Sequence, residues 1–119
     1  MNSYKDLIIW QKGIDLVVLT YKLTDYFPKT EIYGLASQMR RAAVSVPSNI
    51  SEGWSRKNTT EYINFLSITY GSLSELETQL VLSEKLSFGD RNSRNHCFDI
   101  LSEIQKMVVA SINTLRKSL

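Results

Sequence analysis

The chain has 119 residues, the usual length of one domain, so we expect one domain over residues 1–119 with one hydrophobic core. Apolar residues make up 43% and charged residues 22%, an ordinary globular composition that argues against disorder. A single cysteine excludes an internal disulfide, and no apolar run is long enough to span a membrane, so we expect a cytoplasmic protein. The net charge of +2 indicates nucleic-acid binding only if the basic residues cluster.

The first predicted helix ends before Phe27-Pro28 and is apolar on two faces. One stripe comprises Leu7, Trp10, Ile14, Val17 and Tyr21, and the other, almost opposite, comprises Ile9, Leu16, Leu19 and Leu23. A helix with two apolar faces needs two partners. One is its own bundle, and the second face motivates a homo-oligomer.

The second predicted helix runs from about Thr30 to Gly53 and contains a proline. Its core spacing is set by Ile32, Leu35, Met39, Ala42, Val46 and Ile50. Because Pro47 removes a backbone hydrogen bond and collides with the preceding turn, we expect a kink there, or else two shorter helices. A basic loop containing Trp54 follows.

Two further helices follow. Asn58 and Glu61 form an N-cap pattern that begins a third helix ending near Leu86, and Phe88-Gly89-Asp90 supplies a C-terminal glycine and a new cap. Their core positions are Tyr62, Leu66, Thr69, Leu73, Leu76 and Leu80, then Cys97, Leu101, Ile104, Val108, Ile112 and Leu115. With no strand-like alternation, the sequence predicts an all-α fold, an antiparallel up-down-up-down four-helix bundle with a proline-kinked second helix.

Residues for catalysis or metal binding are scarce. His96 is the only histidine, so a metal site lacks ligands, and we interpret Cys97 as a small buried core residue. Gly71-Ser72 lacks the second glycine of a nucleophile elbow and better suits the close approach of another helix. We therefore expect no cofactor, no metal, no small-molecule substrate and no enzymatic activity.

A polar ridge is the most pointed pattern in the second helix. Gln38, Arg41, Ser45, Asn49 and Glu52 follow helical spacing beside small residues. Such a ridge suits an intersubunit seam or an internal network, and the alternative is contact with a ligand.

Basic residues flank the same helix. Arg40, Arg41, Arg56 and Lys57 are candidates for one phosphate-binding patch at the second helix and its exit loop, whereas Arg91 and Arg94 belong at the opposite pole. Trp54 is a candidate to stack on a base or to dock into a neighbouring subunit.

The segment 35–53, LASQMRRAAVSVPSNISEG, resembles the signature of bacterial four-helix bundle proteins encoded within intervening sequences of 23S ribosomal RNA genes. Trp10-Gln11, Phe27-Pro28 before Glu31, and Gly71-Ser72-Leu73-Ser74-Glu75-Leu76 fit as well. The resemblance implies a four-helix bundle. Through similar accessory proteins of diversity-generating retroelements, which associate with nucleic acid and a reverse transcriptase, it also implies a homopentamer.

Two functional hypotheses are compatible with these patterns. In the first, a homo-oligomer binds nucleic acid, RNA above DNA, through Arg40, Arg41, Arg56 and Lys57. In the second, a structural or adaptor oligomer binds a protein partner through its apolar second stripe and Trp54, with no nucleic-acid contact.

Overall fold

A computed structural model describes residues 3–119, which form four α-helices and no strand. They are α1 (Ile8–Thr24), α2 (Leu35–Trp54), α3 (Thr59–Lys85) and α4 (Arg91–Arg116), with short 3-10 turns at Tyr4–Asp6 and Lys29–Glu31. The described chain measures 47 × 20 × 19 Å. Within it, no helix is both long and apolar enough to cross a membrane. The prediction of an all-α bundle is confirmed.

Each helix packs on two neighbours. α1 lies against α2 and α4, and α3 lies against the same two helices, so over residues 3–119 the four helices enclose one core. Along α2 and α3 the contacts run in opposite directions, because Ser45 meets Ser72 whereas Gly53 lies beside Phe65. The complete up-down-up-down order stays a prediction.

The core side of α1 is its second predicted stripe, so the prediction that this stripe docks a partner is wrong. Ile9, Leu16 and Leu23 are buried, whereas Ile14 and Tyr21 of the first stripe are exposed by 38% and 41%. Every predicted core position of α3 and α4 is buried except Tyr62, Ile112 and Leu115, which are half-buried at the edge of the core. The bundle therefore uses one apolar face of α1 and leaves part of the other in contact with solvent.

The start of α2 differs from the prediction. The helix begins at Leu35 rather than near Thr30, and Ile32, predicted to lie in the core, is 54% exposed. The Glu31 carboxylate accepts a hydrogen bond from the Leu35 backbone N–H at 3.0 Å. Because the Glu31 side chain caps α2 here, the helix does not extend back to Ile32. The apolar spacing that included Ile32 therefore does not correspond to a helical face.

Pro47 lies inside α2, which continues through it as one helix and so excludes the alternative of two shorter helices. The ring is buried against Gly13 of α1, where an added Cβ would approach Pro47 Cβ to 3.3 Å. Gly53 of α2 allows a still closer approach, since an added Cβ there would lie 2.6 Å from Phe65 Cβ of α3. Gly71, predicted to allow the close approach of another helix, does not do so within the protomer, because a Cβ there would meet nothing within 4 Å. The kink itself stays a prediction.

The helix caps were predicted with one error. Asn58 Oδ1 accepts the Glu61 N–H and Asp90 Oδ2 accepts the Ser93 N–H, both at 2.8 Å, as expected of N-caps. The left-handed residue that follows α3 is Ser87, with φ of 58°, and the next N–H, of Phe88, closes the motif on the Ser83 carbonyl. Gly89 lies two residues further on and serves the turn into α4.

Arg94 is the main feature of this turn, and it is not a surface cation. It is 5% exposed, and its guanidinium donates to Ser83 Oγ at 3.1 Å and to the Phe88 and Gly89 carbonyls at 2.6 and 3.3 Å. Of the two basic residues predicted at this pole, only Arg91 is therefore exposed to solvent. Arg94 instead joins the end of α3 to the start of α4.

Candidate functional site

An open groove lies between α2 and α3, hereafter the α2–α3 groove. It encloses about 720 Å³. α3 contributes residues three, four and seven positions apart, so they share one face of that helix. The groove is lined by Tyr33, Ser37, Gln38, Arg41, Glu75, Thr78, Gln79 and Leu82.

Two opposite charges face this groove without pairing. Arg41 on α2 and Glu75 on α3 are both exposed, and no ion pair within 4.0 Å joins either of them to any described residue. Their charges are therefore free to interact with a bound molecule. This separates Arg41 from the other arginines of the predicted patch.

Gln79 forms part of the groove wall and has a buried side-chain oxygen that lacks a hydrogen-bond partner among the described residues. It is 6% exposed, and over residues 3–119 its Oε1 finds no hydrogen-bond partner. A buried acceptor left unpaired costs about 1–3 kcal/mol. Fully buried Leu76 and Leu80 flank it along α3, so in the fold alone the position would suit an apolar residue.

The predicted polar ridge of α2 divides into two parts. Gln38 and Arg41 line the α2–α3 groove, whereas Ser45 is hydrogen-bonded across to Ser72 at 2.7 Å. Asn49 Nδ2 then donates to the carbonyl and Oγ of Ser45, both at 2.8 Å. Ser45 and Asn49 thus form an internal network, and Glu52, the last residue of the ridge, is exposed and pairs with Arg56 at 2.9 Å. Gln38 and Arg41 are the ridge residues that line the α2–α3 groove.

The four predicted phosphate contacts do not form one patch within the protomer. Arg40 points to α1, where it donates to Thr24 Oγ1 and pairs with Asp25, each at 2.8 Å, and its guanidinium lies 4.6 Å from the Tyr21 ring. Arg56 lies about 24 Å from Arg40 along the helix axis, at a rise of 1.5 Å per residue. Arg40 serves the contact between α1 and α2.

At the other end of α2, Arg56 is also engaged. It pairs with Glu52 at 2.9 Å and lies 5.1 Å over the Phe65 ring. Lys57 is exposed and has no ion pair among the described residues. Trp54, predicted in a loop, is the last residue of α2 and packs edge-on against Tyr62, with ring centroids 6.1 Å apart. Of the predicted cations, Arg41 and Lys57 are therefore the two whose charges are unengaged.

The remaining candidates for chemistry lie apart. Cys97 is fully buried, as predicted, and this burial raises the pKa of its thiol to about 11, only partly opposed by a hydrogen bond with Thr20. His96 is exposed beside it. Within residues 3–119, no three histidine, cysteine or acidic side chains are grouped to hold a metal ion.

Sequence reasoning missed the α3 half of the groove. Glu75, Thr78, Gln79 and Leu82 follow one helical face, and this spacing is the signal that was available. Gln79 was missed because it is a polar residue between the core residues Leu76 and Leu80, so the sequence alone places it on the solvent-facing side of α3.

The fold and the groove together define a helical-bundle protein with an open polar cleft and opposing free charges. The family model for "23S rRNA-intervening sequence protein" matches residues 5–110, and the chain belongs to this family. The resemblance noted in segment 35–53 is thereby confirmed.

A solved structure shares the fold. It is a protein of unknown function from the S23 ribosomal protein family of Bacteroides thetaiotaomicron VPI-5482, with a TM-score of 0.79 and 21% sequence identity. The match covers 88% of this chain and 98% of that one. Comparison with curated protein sequences gives no match.

Proposed function

We propose that this protein is a non-enzymatic homo-oligomer that associates with RNA. The observation that carries the proposal is the free guanidinium of Arg41 in a polar groove, with the exposed, unpaired Lys57 as a second phosphate contact. The family description names 23S ribosomal RNA, which favours RNA over DNA. The family resemblance implies a pentamer, in which each of these cations would be repeated around a ring.

Such a small number of cations per subunit is sufficient for RNA binding only if an oligomer repeats them. Two free phosphate contacts in one protomer give weak binding, but repeated contacts add up and make the affinity steeply dependent on salt. The mild net charge of +2 is consistent with a surface in which a few cations, rather than the whole molecule, attract the ligand.

Fluorescence anisotropy with labelled structured RNA and duplex DNA, over a salt series, tests the proposal. The variant Arg41→Ala/Lys57→Ala is compared with Lys22→Ala/Lys106→Ala, which removes the same charge from exposed positions on α1 and α4. We expect the first variant to bind more weakly and to flatten the plot of log affinity against log salt, by about 0.9 for each phosphate that the protein no longer neutralises. The second variant should bind nearly as well as the wild type.

Equal weakening in the two variants would mean that net charge, not these side chains, drives association. Absence of binding at low salt by an assembled oligomer would contradict the proposal.

A second candidate function, an adaptor that binds a protein partner, is favoured by a different observation. Ile14, Val18 and Tyr21 of α1 are exposed by 38%, 49% and 41% and lie on one helical face. This face is equally suited to self-association, and the oligomeric state decides between the two uses.

A further inference from the structure

We propose that the α2–α3 groove binds a single nucleotide unit whose base carries an exocyclic amino group. In this site Arg41 holds the phosphate, Glu75 accepts a hydrogen bond from the base, and the Gln79 amide pairs with the base edge. The inference rests on the proposed function, because an RNA strand would supply the nucleotide.

The size of the groove fits one small ligand. Its volume of about 720 Å³ lies within the range of about 300–1,000 Å³ found for small-molecule sites. One end is bounded where Ser45 and Ser72 are hydrogen-bonded across the two helices. The other end is open beside Tyr33, so a base splayed out from a strand has a path into the groove.

The charges specify a ligand with two different ends. Arg41 and Glu75 stand on opposite helices, line the same groove and do not pair with each other. A molecule that satisfies both must carry an anion for the guanidinium and N–H donors for the carboxylate. A nucleotide has both, since guanidinium groups bind phosphate through paired hydrogen bonds and exocyclic amino groups donate.

Gln79 adds an acceptor that the protein leaves unused. Its Oε1 has no partner within the described residues, and no hydrogen bond holds the amide in place. Because the terminal torsion of a glutamine side chain is broad, rotation brings either amide atom toward the groove. Glutamine amides pair with base edges through one donor and one acceptor. The buried amide therefore gains in the complex the hydrogen bond that it lacks in the free protein.

The Glu75 carboxylate also sets a base preference, because it only accepts hydrogen bonds, whereas the Gln79 amide can donate or accept. Adenine, guanine and cytosine each present an exocyclic amino group, whereas uracil presents a single N–H between two carbonyl oxygens. Facing the Glu75 carboxylate, uracil brings these carbonyl oxygens close to another acceptor, which costs binding energy. The groove should therefore discriminate against uracil.

The groove favours a ligand with a planar ring over other ligands that carry two charges. Tyr33 at the open end is 94% exposed, and Leu82 is 45% exposed on the opposite wall. Bases stack on exposed aromatic rings in single-stranded RNA recognition. A zwitterionic amino acid satisfies Arg41 and Glu75 but leaves the Tyr33 ring in water, so the nucleotide accounts for more of the groove.

Isothermal titration calorimetry of the full chain with AMP, CMP and UMP tests the site without any RNA. We expect AMP and CMP to bind at least about tenfold more tightly than UMP, the factor that corresponds to one well-formed base contact. Gln79→Leu should weaken AMP binding by a similar factor, whereas Gln11→Leu, on the exposed surface of α1, should not. The Gln79→Leu variant should melt at or above the wild-type temperature, because it removes an unpaired buried acceptor, so weaker binding would not reflect unfolding.

The outcomes separate the two proposals. Equal binding of all three nucleotides, no binding of AMP and CMP, or unchanged AMP binding by Gln79→Leu would overturn the site. RNA binding that is unaffected by Gln79→Leu at every salt concentration would also overturn it while leaving the proposed function standing. AMP binding that depends on Gln79 in a protein that fails to bind RNA would support the site and reject the proposed function.

Discussion

Ser87 holds a backbone conformation that its side chain disfavours. It follows α3 with φ of 58°, in the left-handed region, where a Cβ atom costs about 1–2 kcal/mol relative to glycine. The hydrogen bond from Phe88 N–H to the Ser83 carbonyl, 2.9 Å long, fixes this geometry. Ser87→Gly should therefore raise the free energy of unfolding by about 1 kcal/mol, after the greater chain entropy of glycine is counted.

Urea denaturation at a fixed protein concentration measures this change. Ser87→Ala is the matched control, because it also removes the hydroxyl but keeps the Cβ. If the glycine variant is no more stable than the alanine variant, the left-handed geometry does not limit stability at this turn.

Arg40 and Arg41 show what a sequence leaves undecided at the scale of residues. Adjacent helical positions differ by about 100° in direction, so one guanidinium reaches Asp25 beside α1 and the other lines the α2–α3 groove. Both were predicted as phosphate contacts because the sequence shows that a side chain is charged but not which neighbours it faces. The ridge of Gln38 and Arg41 was predictable from spacing, whereas their partners on α3 depend on which face of α3 meets α2.

At the scale of elements, the turn between α3 and α4 is held by Arg94. The residue is 5% exposed, and its guanidinium donates to one hydroxyl and two backbone carbonyls. Arg94→Met keeps much of the apolar stem but leaves these acceptors unpaired, so we expect it to lower the free energy of unfolding by about 2–3 kcal/mol.

The matched control is Arg91→Met, one turn earlier on the same helix and exposed, which should change stability by no more than about 0.5 kcal/mol. Both variants are compared by urea denaturation, with the helical signal followed by far-ultraviolet circular dichroism. Similar destabilisation of the two variants would show that charge at the start of α4, rather than the buried hydrogen bonds, sets the effect.

The helices themselves were predictable because their signals are local. Asn58 and Asp90 mark the starts of α3 and α4 through side-chain caps, and the apolar spacing fixes which faces of these helices are buried. The start of α2 was not predictable in this way, because the Glu31 carboxylate caps the helix from four residues before Leu35. The choice between the two apolar faces of α1 depended on tertiary packing, since both satisfy the same helical period.

At the scale of the whole molecule, an exposed apolar strip crosses from α1 to α2. Ile14, Val18 and Tyr21 lie along α1, and Arg40 over the Tyr21 ring places α2 beside them. Val44, one helical turn from Arg40, is 41% exposed and continues the strip. We expect these exposed apolar side chains to form an interaction site. It lies on the seam between α1 and α2, whereas the groove lies on the next seam, so subunits joined through the strip leave the groove open.

This arrangement predicts that the oligomer and the folded protomer can be separated by one substitution. Light scattering of the wild type should give a multiple of 13.6 kDa, and Val18→Glu should shift the mass toward that of the monomer, because a charge then faces the apolar strip. The helical circular dichroism should stay unchanged, since the side chain is 49% exposed in the protomer. Ile68→Glu, at 51% exposure on α3, is the matched control and should keep the wild-type mass. A wild type that scatters as a 13.6 kDa monomer would refute self-association and leave the strip to a different protein partner.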